Sequence, residues 1–313
     1  RMCDDDYICN AMDIVASGGG VMQLHCESGN IIEYLENKLI ADGHSHPTDF
    51  PRACPDWAEE EAINRAVNMS SATHCPTYVV HLSTHLGMER IKQAQSLGQR
   101  VWTETCPQYL LLSDAEMAKV GPLAKIGPPL RAEDGPDREA MWRGLEQGHT
   151  SIVSSDHSPH PQELKQVGWD NIFVTPEGAS VPFGSPGLET IVSLTYSEGV
   201  VKRGLPIWWL ARVMSENPAR IFGLYPRKGV IQVGSDADLL IMDPQTDRVI
   251  TAKDHQSNAG YTLFEGWEVK GTPWMTLLRG QVLLNQGNLE RQPGYGEFLA
   301  CEGPRSPIGG PVR

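Results

Sequence analysis

The chain has 313 residues, 40% of them hydrophobic and 21% charged, with a formal net charge of −13. At ~150 residues per domain that is one large domain or two ordinary ones, with enough apolar material for a core that needs no disulfides. The excess of acid repels phosphate backbones and anionic lipid heads, which argues against nucleic-acid and membrane-surface partners, and no apolar run approaches the ~20 residues that span a bilayer.

In chain order, the opening Arg1-Met2-Cys3-Asp4-Asp5-Asp6 lacks the basic start and apolar stretch of a signal peptide. Residues 21–25 read as a strand, and 31–40 have helical spacing. A second helix is expected over 56–69, with Trp57, Ala62, Ile63, Ala66 and Val67 as its apolar stripe. Residues 78–82 form the next expected strand, 87–97 a helix closed by Gly98, and 101–106 a strand stopped by Pro107. After a loop rich in Gly and Pro, 137–147 read as a helix and 151–156 as a strand. This alternation argues for a parallel sheet covered by helices, and several strands are near-continuous apolar runs, as burial on both faces requires. Two more helices are expected over 188–201 and 207–222, with Asn217-Pro218 suited to a kink or boundary. Trp208 and Trp209 read as packing residues.

The pattern changes after Lys228. Residues 230–234 and 237–242 look like strands joined by a turn at Gly234-Ser235-Asp236, and 269–288 hold another pair of strands. The expected division is an α/β unit over 1–225, a small β-rich module over 226–291 and an extended tail over 292–313. The seven cysteines are odd in number and include no C-x-x-C pair. Cys26, Cys75 and Cys106 lie in or beside apolar runs, the pattern of reduced, buried thiols in a cytoplasmic protein.

Three expected strands end at or near a possible metal ligand, namely His25, His81 and Asp156. Each interval is long enough for at least one strand–helix unit. In a parallel barrel all strand C-termini open on one face, so these side chains could converge there. Two imidazoles and a carboxylate suit zinc or a similar borderline cation. A single His at a strand end is more often a satisfied polar residue, and Asp156-His157 could equally cap a helix. Gly43-His44-Ser45-His46-Pro47 also contains a His-x-His, but it follows a helix in a polar loop, with no buried strand to aim it. His157-Ser158-Pro159-His160 reads as loop structure, with His157 close enough to support a ligand.

The surrounding stretches weigh on this choice. They are Leu24-His25-Cys26-Glu27-Ser28-Gly29-Asn30, Tyr78-Val79-Val80-His81-Leu82-Ser83, Glu104-Thr105-Cys106-Pro107-Gln108-Tyr109-Leu110, Pro128-Pro129-Leu130-Arg131 and Ser155-Asp156-His157-Ser158-Pro159. Later come Asn217-Pro218-Ala219-Arg220-Ile221-Phe222-Gly223-Leu224-Tyr225-Pro226-Arg227-Lys228-Gly229 and Gly234-Ser235-Asp236-Ala237-Asp238. In this order, over nearly the whole chain, the sequence resembles the cyclic amidohydrolases of the hydantoinase and dihydropyrimidinase group.

The resemblance implies a (β/α)8 TIM-type barrel with a small β-sandwich, two divalent metal ions, zinc first among them, and a homo-oligomer, dimer or tetramer. It places His25 and His81 on one metal and Asp156 on the other, with Asp156 also as the catalytic acid/base. Gly127 and Ser185 correspond to substrate-binding positions. Relatives often carry Ser at the place of Gly127, where only main chain could meet a substrate, and a polar residue at the place of Phe183. The family's His-x-His and carboxylated lysine normally lie N-terminal to Arg1, and only the strands ending near His25, His81, Cys106 and Asp156 are visible. The sequence therefore reads as the C-terminal half to two-thirds of a family member. Half a barrel would expose strand edges, so residues 1–313 alone are not expected to be a stable monomer. The implied activity is opening of a hydantoin or dihydropyrimidine ring. The alternatives are allantoin or dihydroorotate as substrate, and a catalytically silent scaffold.

Overall fold

The computed structural model describes residues 2–290, 293–305 and 307. Four short strands, β1 (Met22–Leu24), β2 (Thr77–Val79), β3 (Val101–Thr105) and β4 (Ile152–Val153), form a parallel sheet in the order β1-β2-β3-β4. Parallel neighbours need long crossovers, and each interval supplies helices. Gly29–Ala41 and Asp56–Thr73 separate β1 from β2, His85–Ser96 separates β2 from β3, and Asp137–Gln147 precedes β4. All three residues of β2 and all of β3 but Glu104 are buried, which matches the expected two-faced burial. Among the described residues the sheet is open, with β1 and β4 at its edges.

The Asp56–Thr73 helix buries Ala58, Ala62, Ile63, Ala66 and Val67 against the sheet. Trp57 lies off this stripe and is 47% exposed, because it sits one residue, about 100°, around the helix from Ala58. The neighbouring helix His85–Ser96 is capped by Thr84, whose Oγ1 accepts the Gly87 N–H at 3.0 Å. Gly87 allows the close approach of the two helices, since a Cβ there would lie 2.6 Å from Ile63 Cδ1.

Several elements differ from the sequence reading. The helix Asp5–Ser17 is absent from the sequence reading although Ile8, Ala11, Met12 and Val15 recur at helical spacing; Met12 is its buried residue. The expected helix 188–201 starts only at Ile191 and passes into a π-helical stretch, Thr195–Lys202. The expected helix 207–222 breaks into Ile207–Ala211, a π-helical turn Arg212–Glu216 and Asn217–Ile221. Pro218, which has no N–H to donate, sits just after that turn. Trp209 is fully buried beside Trp142, but Trp208 is half-exposed.

Residues 230–234 form turns, not a strand, and Ile231 and Val233 project into solvent. The second sheet is antiparallel, β5 (Leu239–Val249), β6 (Glu268–Leu278), β7 (Gln281–Asn285) and β8 (Asn288–Leu289) in that order. Between β5 and β6 the chain returns to the first unit, where Ile250, Tyr261, Leu263 and Phe264 share a core with Tyr109, Ile126 and Leu130. The described part of the tail, 293–305, contains no helix or strand. All seven cysteines are free, with Cys26, Cys54, Cys75 and Cys106 buried.

A buried ion pair ties three segments together. Arg131 Nη2 meets Glu59 Oε2 at 2.7 Å, its Nε donates to Ser83 Oγ at 3.0 Å and its Nη1 to the Cys54 carbonyl at 2.7 Å. Glu59 also accepts the Ser83 N–H at 2.9 Å and the Ser83 hydroxyl. Removing one partner strands the other charge in a dry interior. Arg131→Met is therefore expected to lower unfolding stability by about 3–5 kcal/mol, and Glu59→Gln/Arg131→Met by less than the two single losses added. Denaturant titrations of the four proteins measure this, and strictly additive losses would refute the coupling.

Candidate active site

His25 follows β1 directly, His81 lies two residues beyond β2, and Asp156 lies three residues beyond β4. Because the strands run parallel, with Leu24 opposite Val79, Val79 opposite Thr103 and Thr105 opposite Val153, these positions emerge at the same end of the sheet. His25 Nδ1 stands 2.9 Å from His81 Nε2, with ring centroids 4.7 Å apart. His25 Nε2 meets Glu27 Oε2 at 3.1 Å. A cavity of about 340 Å³ is lined by His25, Glu27, His81 and Asp156 together with Gly127, Ser158, Phe183 and Gly184.

The backbone at two of these residues is unusual. His81 has φ 40° and Asp156 φ 46°, the left-handed region that non-glycine residues rarely adopt. Glu104 helps hold the first of them, accepting the His81 N–H at 3.4 Å and the Tyr78 hydroxyl at 2.6 Å.

Burial sets the charge states. It pulls the His81 imidazole down to about 3, with the adjacent His25 adding to the shift. Desolvation also lowers His25, but the hydrogen bond and charge of Glu27, with the charges of Glu59 and Asp156, together leave His25 above its ordinary value. Asp156 is pushed up to about 6, first by burial and then by the charge of Glu104, against an opposing pull from His25. Glu104 is itself raised by burial, with the Tyr78 hydrogen bond opposing. The cavity thus joins a neutral imidazole to a carboxyl that can hold or release a proton near neutrality.

Among the described residues no group of three or more His, Cys, Asp or Glu side chains is spaced as a metal cage. The His25–His81 pair is nonetheless the chemistry a borderline cation uses, with two ring nitrogens facing one another and His81 neutral. His81 Nδ1 is buried without a hydrogen-bond partner. Asp156 shares the same cavity.

Gly127 lines the cavity, where it has little room for a side chain. A Cβ there would lie 3.2 Å from Phe183 Cδ1 and 3.5 Å from Glu27 Oε2. Ser185 stands beside the cavity and not among its lining. It is 5% exposed, its backbone bridges to His157, and its carbonyl accepts the Ser158 N–H at 3.1 Å. His157 Nδ1 accepts the N–H groups of Gly187 and Leu188, each at 3.2 Å. His46 makes a local turn instead, with Nδ1 2.9 Å from the Thr48 hydroxyl, and His44 lies 3.7 Å from Asp49. Sequence reasoning missed Glu27, Glu104 and Ser158 as site residues. Their one signal was membership of the stretches that begin at Leu24, Glu104 and Ser155.

The Amidohydrolase family profile matches residues 1–283. The L-hydantoinase of Paenarthrobacter aurescens is 37% identical over 285 residues, covering 91% of this chain and 60% of that protein. The D-hydantoinase of Geobacillus stearothermophilus is 34% identical over 300 residues, covering 95% of this chain and 62% of that one. Among solved structures, the L-hydantoinase (dihydropyrimidinase) from Arthrobacter aurescens superposes with a TM-score of 0.89 at 36% identity, covering 95% of this chain and 64% of that chain. The chain thus spans about three fifths of the length of the curated relatives it matches.

The His81 environment has a direct spectroscopic consequence. In chelator-treated protein its imidazole is expected to remain neutral at pH 5 and to take a proton only as the pH nears about 3. Nitrogen-15 spectra of labelled histidine, with His81→Gln to assign the signal, measure this. A charged His81 ring at pH 5 would overturn the assignment of its environment.

Proposed function

The chain belongs to the amidohydrolase family, and we propose that it carries part of the active site of a metal-dependent enzyme that hydrolyses a cyclic amide, opening a hydantoin or dihydropyrimidine ring. The observation that supports this most strongly is the approach of His25 Nδ1 and His81 Nε2 to 2.9 Å in a cavity shared with Asp156. In this reading His25 and His81 hold one divalent cation and Asp156 a second, zinc being the ion two imidazoles and a carboxylate favour. No residue of this chain is assigned to the carboxylated lysine or the His-x-His pair that the resemblance implies. Bound cations supply Lewis acidity that polarises the ring carbonyl and makes water nucleophilic near neutral pH.

The residues of this chain do the rest. Asp156 takes the proton of the attacking water and delivers it to the ring nitrogen as the C–N bond breaks. A ring amide leaves poorly without that proton. Glu104 keeps His81 in place through the main chain, and Glu27 orients His25. The ring lies against main chain at Gly127 and at the 183–185 segment, where Ser185 contributes through its backbone. The working enzyme is a cytoplasmic homo-oligomer in this reading, which matches the free thiols and the two open edges of the parallel sheet.

The test uses the protein that carries this chain. Hydantoin and dihydrouracil should be opened, chelation should abolish turnover and zinc should restore it. Asp156→Ala should reduce kcat by about 10²–10⁴-fold with the fold retained. Full activity in that variant would defeat the assignment. Allantoin and dihydroorotate in the same panel identify the ring, and stoichiometric metal in the purified protein separates an enzyme from a silent relative.

A further inference from the structure

Two fully buried lysines, Lys125 and Lys165, have no part in the chemistry above. Lys165 Nζ donates to the carbonyls of Leu123 and Lys125, each at 2.9 Å, and to that of Gly184. An ammonium has three N–H donors, so the three carbonyls use all of them. Lys125 Nζ donates to the carbonyls of Ile172 at 2.8 Å and Val181 at 3.0 Å, and lies 4.2 Å from the centre of the Phe183 ring. Both amines end on main-chain carbonyls. Burial draws Lys125 down to about 8 and Lys165 down to about 7. Sinking two amines into an interior is unfavourable where an aliphatic side chain of the same length would fill the space.

What the amines hold is the wall of the cavity. The Gly184 N–H donates to the Lys125 carbonyl at 3.0 Å, the same oxygen that Lys165 grips. Tyr261 Oη adds a donor to the Gly184 carbonyl at 3.2 Å. Gly184 has φ 110°, and a Cβ there would lie 2.4 Å from the Ser158 carbonyl oxygen. The segment bearing Phe183 and Gly184 is therefore clamped to the segment bearing Gly127, and these three residues line the cavity.

We propose that Lys165 is a positioning residue that, with Lys125 and Tyr261, fixes the gap between Gly127 and Phe183 and so determines how tightly the ring substrate is held, without acting on the hydrolytic step. The kinetic part of this proposal rests on the cyclic-amide reading; the anchoring itself does not.

The experiment compares wild type with Lys165→Met, which keeps the length and removes the three donors. Hydrogen–deuterium exchange should quicken over residues 181–187 in the variant, with the amides of β2 and β3 unchanged. The KM for hydantoin should rise about tenfold or more while kcat stays within about threefold, since only ground-state and transition-state binding together are weakened. Lys165→Arg, which retains a cation and donors, should recover part of the affinity. Unchanged exchange over 181–187, or a fall in kcat with unchanged KM, overturns the proposal. If Lys165→Met fails to fold, Tyr261→Phe removes a single donor to Gly184 and should raise KM about threefold; an unchanged KM there also overturns it. A wild-type protein that opens no cyclic amide counts against the proposed function alone, because the exchange comparison still decides the anchoring.

Discussion

Parallel pairing in sequential order is the constraint from which the site follows. With β1 to β4 running the same way and neighbouring strands hydrogen-bonded in turn, every residue just past a strand end arrives on one face. A slip of one residue in any pairing would turn the ladder's side chains to the opposite face and separate the histidines. The buried contact of Arg131 with Glu59 and Ser83 guards against this. Ser83 lies two residues beyond His81, Glu59 is on the Asp56–Thr73 helix, and Arg131 comes from the segment after Gly127. One guanidinium thus fixes the path by which the chain leaves β2.

The electrostatics at the cavity are those of groups taken out of water and only partly compensated. His81 is kept neutral because burial penalises its cation and His25 is adjacent, while Asp156 is held above the usual carboxylate range by burial and by Glu104. Both also hold left-handed backbone, a conformation that costs of order 1–3 kcal/mol and persists only where the surroundings over-determine it. The Glu104 and Tyr78 hydrogen bonds are part of that determination. Local strain and shifted protonation fall on the same two residues, which is where catalysis would use them.

How much of this could be read from the sequence differs by element. The four strands and the longer helices between them were legible, the strands as short apolar runs and the helices by their apolar stripes, and Asp137–Gln147 has the bounds the sequence suggested; the short helices Pro107–Leu111 and Ala115–Lys119 lie in a stretch that reads as a Gly- and Pro-rich loop and were not. His25, His81 and Asp156 were legible because each ends an apolar run. Trp57 misled because its hydrophobicity matched a stripe that its angular position excludes. The 230–234 run alternates like a strand, yet it pairs with nothing in the described second sheet, and pairing decides strand formation more than propensity does. Ser158, Phe183 and Gly184 reach the cavity from loops whose course depends on distant anchors, among them Lys165 to Leu123 and Tyr261 to Gly184. No local pattern encodes such contacts, so of the wall only Gly127 and Phe183 drew notice, through the family resemblance, and Ser158 and Gly184 did not.

The contact between Gly127 and Phe183 has a consequence for how this site can change over evolutionary time. With 3.2 Å between a would-be Cβ at one position and the ring at the other, a hydroxymethyl group gained at 127 needs the aromatic at 183 to give way by a few tenths of an ångström. The two positions share one space, so the room left for a side chain at 127 is set by where the ring at 183 stands.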